Sequence, residues 1–433
     1  MNGVEEYLSL LDAIVLLAQK RDAEGGLDRL TDEEQTQLRN LRQRTEEVLT
    51  GRIHPDPEAA LEVLLTLLDR RGLSNAHRRL LDYIPDHALP RVFEKSLLAL
   101  GMDYKEADVS GLRLQHEMLD KLQWQAPDLF HPYLSALWSK RSWESTGAWW
   151  GAGRRFSHEL RNEMNTSIAH RNWAQLCLEW SGEPENLNFV ASKLNTQLLE
   201  NAGVERKGGE WRRLYADACY HIMPSPADLT THNMTAPAHM HLDDLSWRIN
   251  GEGIQAEYWG AEGPKCPHCD YNLQHLLTLS NPVPGVTLHA PITFVVCTYC
   301  MISDRPTIFV HDDHGLPERP KYHGSGFEET GGYDFSDLDR ETYKFLHHGL
   351  PVQLKVTPSR WLFQNDFNDS QNLNRVGGPP SWLQGPEWET CPKCQQTMLF
   401  VFQLHDGLAY TNGTIYGFWC SSCRISAILN TYT

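Results

Sequence analysis

Apolar positions along the first half of the chain recur at helical spacing. Val4, Tyr7, Leu8, Leu11, Val15 and Ala18 fall three and four residues apart, one face of a helix. Thr31, followed three positions later by Glu34, forms a capping-box signature ahead of a charged helix expected to run to about Leu49. Asp56-Pro57 supplies an N-cap and a first-turn proline for EAALEVLLTLLDRR, which Gly72 should stop. Further helical patterns are expected near 75–84, 90–100, 111–123, 128–140, 156–180, 184–202 and 210–222. They predict an all-helical domain, a bundle or a HEAT-like helix stack, although no clean repeat period is visible.

The pattern changes at MPSPADLTTHNMTAPAHMHL, residues 223–242, which is rich in Pro, Thr and His and lacks periodicity. The boundary is therefore expected at 228/229, with an all-helical domain over 1–228 and a β-rich domain over 229–433. Beyond it, TFVVC, PTIFV, PVQLKV, MLFVFQL and TIYGFWC read as strands separated by Gly, Pro, Asn and Asp. The expected fold class is α+β, at a length of 433 residues that suits two domains.

Eight of the ten cysteines form four C-x-x-C pairs. Cys266 and Cys269 are followed after 27 residues by Cys297 and Cys300; Cys391 and Cys394 are followed after 25 residues by Cys420 and Cys423. The surroundings repeat as well: LQHLLTLS and MLFVFQLH follow the opening pairs, ITFVV and IYGFW precede the closing pairs, and Ile-Ser recurs just after them. Two copies of one unit, about 245–312 and 374–433, are the simplest account. A two-residue spacing lets a tight turn aim both sulfurs at one ion, and a strand–turn–strand insert returns the second pair beside the first. Each quartet should then hold one structural zinc in a closed tetrahedron, with two ions in all. Closure within a copy and closure between copies both satisfy the spacing. A redox C-x-x-C would require a βαβ setting.

The chain carries 39 basic and 56 acidic side chains, a formal charge of −17. From residue 230 onward there are 12 basic and 21 acidic residues, so −9 lies there and −8 in the first 229. Neither half has the basic surplus that phosphate backbones demand, which argues against a nucleic-acid partner. An acidic surface aids solubility and speeds encounter with a basic partner. Glu5 and Glu6 stand where a secretory signal needs basic residues, and no apolar run approaches the ~20 residues of a membrane span. A cytoplasmic protein with reduced, metal-bound thiols is expected.

Other candidate chemistry is sparse. His311, Asp312, Asp313 and His314 follow the PTIFV strand and could hold a metal or supply a base, or could equally form a polar turn. His239 and His241, with Asp243 and Asp244, resemble the start of a hydrolase metal site without downstream partners at suitable spacing. Cys177 and Cys219 stand singly on apolar stretches and are expected to be buried. In GAWWGAGRRF, glycines surround Trp149 and Trp150, a turn where both rings could be exposed as partner-binding anchors. No residue is nominated as catalytic.

Residues 374–404, NRVGGPPSWLQGPEWETCPKCQQTMLFVFQL, resemble the bacterial YwqG-like domain family through Gly377, Gly378, Pro379, Trp382, Leu383, Gln384, the C-x-x-C and the strand reaching Gln403. IYGFWCSSC, 415–423, is similar to that family's late strand and second pair. His405-Asp406 and the turn at Thr411–Thr414 depart from the family pattern. The resemblance implies a duplicated α+β or β-rich bacterial domain with no agreed activity, of a kind fused to helical segments in toxin–immunity systems. The expectation is a non-enzymatic immunity protein that neutralises a toxin by occlusion. A metal-assisted hydrolase and a zinc-ribbon nucleic-acid binder are the alternatives.

Overall fold

The computed structural model of the chain describes residues 31–48, 57–68, 80–101, 118–139, 146–167, 170–223, 251–258, 262–266, 272–286, 291–297, 306–318, 350–363, 372–405 and 413–432, with residues 9, 10, 13 and 288. It divides into two compact units, Met1–Ser181 and Gly182–Thr433.

The first unit is helical: α1 (Asp32–Val48), α2 (Pro57–Leu68), α3 (Leu80–Tyr83), α4 (Leu89–Gly101), a helical stretch at 118–125, α5 (Leu134–Ser139), α6 (Ser157–Thr166) and α7 (Arg171–Trp180). The capping box forms as expected. Glu34 Oε2 accepts the Thr31 backbone N–H at 3.0 Å, and Thr31 Oγ1 accepts the Glu34 N–H at 3.3 Å, so two orphan donors of α1 are satisfied. Pro57 opens α2, where its missing N–H costs nothing. The helix expected over 156–180 is interrupted, because Ser167 adopts extended backbone after Thr166. Val63, Leu64, Val92, Phe130 and Leu178 make an apolar interior, with Phe93 and Phe130 rings 4.5 Å apart.

The second unit begins with α8 (Pro184–Leu194) and then leaves the expected helical course. Residues 198–223 form strands: β1 (Leu198–Leu199), β2 (Val204–Lys207), β3 (Glu210–Arg213) and β4 (Cys219–Met223). Lys207 pairs with Glu210 across Gly208 and Gly209, whose φ values of +61° and +93° suit the two-residue hairpin turn that glycine permits. The compact division consequently falls at Ser181/Gly182 rather than at 228/229, and residues 224–250 lie outside the described residues.

The remaining strands are β5 (Ile254–Tyr258), β6 (Glu262–Lys265), β7 (Asn272–Leu279), β8 (Ile292–Val296), β9 (Thr307–His311), β10 (Pro317–Glu318), β11 (Leu350–Val356), β12 (Arg375–Gly377), β13 (Leu399–His405), β14 (Gly413–Cys420) and β15 (Ile425–Tyr432). Twelve of the strands make one antiparallel sheet, ordered β10-β9-β15-β14-β13-β12-β4-β11-β5-β7-β6, with β8 also paired to β7. Both cysteine-bearing segments thus contribute to a single sheet. That sheet folds over itself. Phe294 of β8 meets Phe402 of β13 at 4.9 Å, and one apolar core draws on β4, β5, β7, β8 and β11 to β15. The α+β class holds, with helices first and a large antiparallel sheet after.

Candidate metal centre

The turn before β13 and the β14–β15 hairpin bring four sulfurs together. The ligand atoms of Cys391, Cys394, Cys420 and Cys423 all lie within 4.8 Å of one another, and Cys394 Sγ is 3.6 Å from Cys420 Sγ. A tetrahedron with metal–sulfur bonds of about 2.3 Å has an edge of about 3.8 Å, so this quartet fits one thiophilic ion. The quartet is made by the two pairs at 391–394 and 420–423.

Local backbone explains the aim of the sulfurs. The Gln395 N–H donates to Cys391 O at 2.9 Å and the Cys391 N–H to Gln396 O at 2.9 Å, which wraps the first pair into a knuckle. Cys420 pairs with Ile425, so Cys423 sits in the β14–β15 turn. Each pair is followed by a left-handed residue, Gln395 at φ +56° and Arg424 at φ +54°. The same bend thus follows each pair, although L-residues disfavour it.

The thiols differ electrostatically. Burial pushes Cys391 up to about 12. Burial also acts upward on Cys394, but hydrogen bonding from the Gln396 backbone and the neighbouring thiols outweighs it and brings Cys394 down to about 7. Burial raises Cys423. One thiolate is therefore readily formed near neutrality, and a dication would offset the repulsion of forming the rest. Cys391 and Cys420 are buried, whereas Cys394 and Cys423 are half-buried.

Of the other quartet, Cys269 and Cys300 lie outside the described residues. Cys266 and Cys297 are fully buried in a small cluster with Leu273, Val295 and Phe309. Cys266 follows β6 and Cys297 follows β8. Lys265 pairs with Asn272 and Val296 with Gln274, so both cysteines flank the same end of β7.

His311 is buried, with Nε2 2.7 Å from Ser426 Oγ and Nδ1 3.1 Å from Gly315 O, and burial lowers its pKa. Asp312 Oδ1 accepts the backbone N–H groups of His314 and Leu316 at 2.8 Å each, while Asp313 pairs with Arg424. These side chains organise an inter-strand turn. Among the described residues, the cysteine quartet is the one group of three or more candidate ligands brought together. His239, His241, Asp243 and Asp244 lie outside the described residues. Cys177 and Cys219 are buried as expected, which raises both thiols.

Trp149 is not the exposed anchor expected. It is 2% exposed and packs edge-on against Trp138, with ring centroids 6.0 Å apart. The turn is present, with Gly151 at φ +67°, but its N–H donates to Trp180 O at 3.0 Å and ties the loop to the end of α7. Trp150 is half-buried, 4.8 Å from the Trp180 ring.

The sequence pattern passed over several buried charges, Arg375 among them. Arg375 of β12 is 1% exposed beneath the Gly377–Leu383 segment that carries the family resemblance. Only strand register, which brings it opposite His221 and Gln403, reveals it.

No protein-family model matches the chain, and no solved structure matches it. Over 260 residues, 57% of the chain, it is 28% identical to the uncharacterized protein YpfL of Salmonella typhimurium. That match covers 52% of YpfL, so the chain spans about half the length of the curated relative it matches. No helix among the described residues is long and apolar enough to cross a membrane.

Proposed function

We propose that the protein is a non-enzymatic binding protein whose β-rich unit is held by two structural zinc ions, and most concretely a cytoplasmic bacterial immunity protein that neutralises a toxin by direct binding and occlusion. The observation that carries the zinc reading is the convergence of Cys391, Cys394, Cys420 and Cys423 within 4.8 Å. Four thiolates fill a tetrahedral shell and leave no position for water or substrate, so zinc there contributes folding energy rather than Lewis-acid chemistry. The second ion belongs to Cys266, Cys269, Cys297 and Cys300 by the repeat in sequence.

The recognition reading is supported by the likeness of residues 374–423 to the YwqG-like family and by the charge of −17. Acidic surface steers a basic partner and speeds its capture. A hydrolase centred on His311–His314 is disfavoured because His311 is enclosed and Asp312 and Asp313 serve the turn. A nucleic-acid binder would be retained on DNA or RNA in a salt-sensitive way, and the charge balance predicts no retention. The test is affinity purification from the native cell at low and moderate salt. A basic polypeptide partner is expected at low salt; recovery of the chain alone at both salts would count against the proposal.

A further inference from the structure

Away from the cysteines, the sheet buries a row of polar side chains. His221 of β4 stands opposite Arg375 of β12, Arg375 opposite Gln403 of β13, and Gln403 opposite Tyr416 of β14. Residues directly opposite share a face, so the four line up on one side of the sheet with neighbouring Cβ atoms about 5 Å apart. Their strand neighbours Tyr220, Ile222, Val376, Phe402, Leu404 and Ile415 supply the apolar core on the other side. His221, Gln403 and Tyr416 are 0% exposed and Arg375 is 1% exposed.

The segment after β12 covers the row. Gly377 and Gly378 both take φ +70°, and a Cβ on Gly377 would lie 2.2 Å from Ala218 O, so only glycine lets the chain turn back here. Ser381 Oγ then accepts from Arg375 Nη2, Gln403 Oε1 accepts the Ser381 N–H at 2.8 Å, and Tyr416 Oη donates to Ser381 O at 2.8 Å.

Donors outnumber acceptors in this enclosure. Arg375 Nη1 donates to Leu362 O at 2.9 Å and the guanidinium also touches the Cys219 thiol, but Arg375 Nε has no partner and neither does Gln403 Nε2; the His221 ring lies against the Asn372 backbone. No carboxylate pairs with Arg375 among the described residues. The adjacent Cys219 thiol is pushed up by burial and is no counter-charge. Burial, with the Arg375 charge, holds His221 neutral, at about 3, and its one N–H faces the Asn372 backbone. A guanidinium left without an anion in such surroundings is strongly disfavoured.

We propose that Arg375 and Gln403 form an internal site for one small oxyanion, the phosphate or carboxylate group of a small molecule. The anion accepts from Arg375 Nε and Gln403 Nε2, and the Gly377–Leu383 segment closes over it. The enclosure makes exchange slow, so the anion is expected to accompany the chain through purification.

The test uses the full chain purified in chloride buffer. Denaturation followed by ion chromatography reads phosphate, and mass spectrometry reads small carboxylates, which separates the two sources. Wild-type protein is expected to release about one equivalent, and Arg375→Met protein none. Because Arg375→Met can fail to fold, Gln403→Leu keeps the guanidinium and removes the Nε2 donor, together with the Oε1 that accepts the Ser381 N–H; it should hold the anion roughly 10- to 100-fold less tightly. Added inorganic phosphate or acetate at fixed ionic strength should raise the melting temperature of any wild-type chains that have lost the anion. Wild-type protein that releases no anion and gains nothing from either addition overturns the proposal. So does Gln403→Leu protein that retains the anion like wild type.

Discussion

Cys394 Sγ stands 3.6 Å from Cys420 Sγ, although 26 positions of chain separate them. That approach is made by the β13–β14 pairing, which sets Leu399 opposite Trp419 and returns the second pair beside the first. Thiols at this distance, with two more inside 4.8 Å, match the dimensions of a tetrahedral metal shell, whose edge is about 3.8 Å.

Cys394→Ser or Cys420→Ser should therefore release one zinc and loosen the sheet. The expected cost is about 4 kcal/mol or more, because metal binding at such sites is folding energy. Thermal denaturation should register this as a fall of roughly 8–16 °C. His311→Ala, by contrast, should leave metal content unchanged.

The metal-free protein should show unequal thiols. Cys394 is lowered to about 7 from 9.0, so its thiolate contributes stability that is fully present above pH 9 and lost as pH falls through about 7. Cys391, raised to about 12, stays a thiol across that window. Alkylation followed by peptide mapping should mark Cys394 first, half-maximally near pH 7. Prior labelling of Cys391 would contradict the assignment.

Gly377→Ala should destabilise the second unit by about 3 kcal/mol or more. A left-handed φ of +70° and a Cβ 2.2 Å from Ala218 O leave no relaxation without moving β4. Urea denaturation measures the loss. Gly385→Ala, with nothing within 4 Å of its added Cβ, is the matched control and should change little.

In the helical unit, Lys121 Nζ lies 2.5 Å from Asp82 Oδ2, each side chain 3% exposed, and Gln125 Nε2 donates to Asp82 Oδ1 at 2.9 Å. Asp82→Ala should cost roughly 3–5 kcal/mol by taking the carboxylate away from a buried ammonium. Combining Asp82→Leu with Lys121→Met should recover most of that, since an apolar pair replaces both charges. Loss of helical circular dichroism in urea reports both.

Much of this architecture was legible in the chain. The Thr31–Glu34 box, the Pro57 start and the apolar strands that lead into Cys297 and Cys420 are local signals, and each forms where expected. The cysteine spacing pointed to the quartet because two-residue turns and a hairpin insert leave few other ways to arrange four sulfurs. The helical patterns at 198–202 and 210–222 do not form helix; Gly208-Gly209 make the hairpin turn between β2 and β3, and β4 becomes a strand through pairing with β11 and β12, far along the chain. Trp149 is buried for a similar reason, since the Gly151 loop is tied to α7 by a bond no local pattern predicts. The Arg375 row is invisible to periodicity, because a charge alternating with apolar residues on a strand ordinarily faces water.

The zinc content of the full-length chain, measured by elemental analysis after exhaustive dialysis, bears most directly on the whole account. Two zinc ions per chain are expected, falling to one in Cys420→Ser and to one in Cys297→Ser. A wild-type chain that is purified free of metal and takes up none when zinc is added would contradict it.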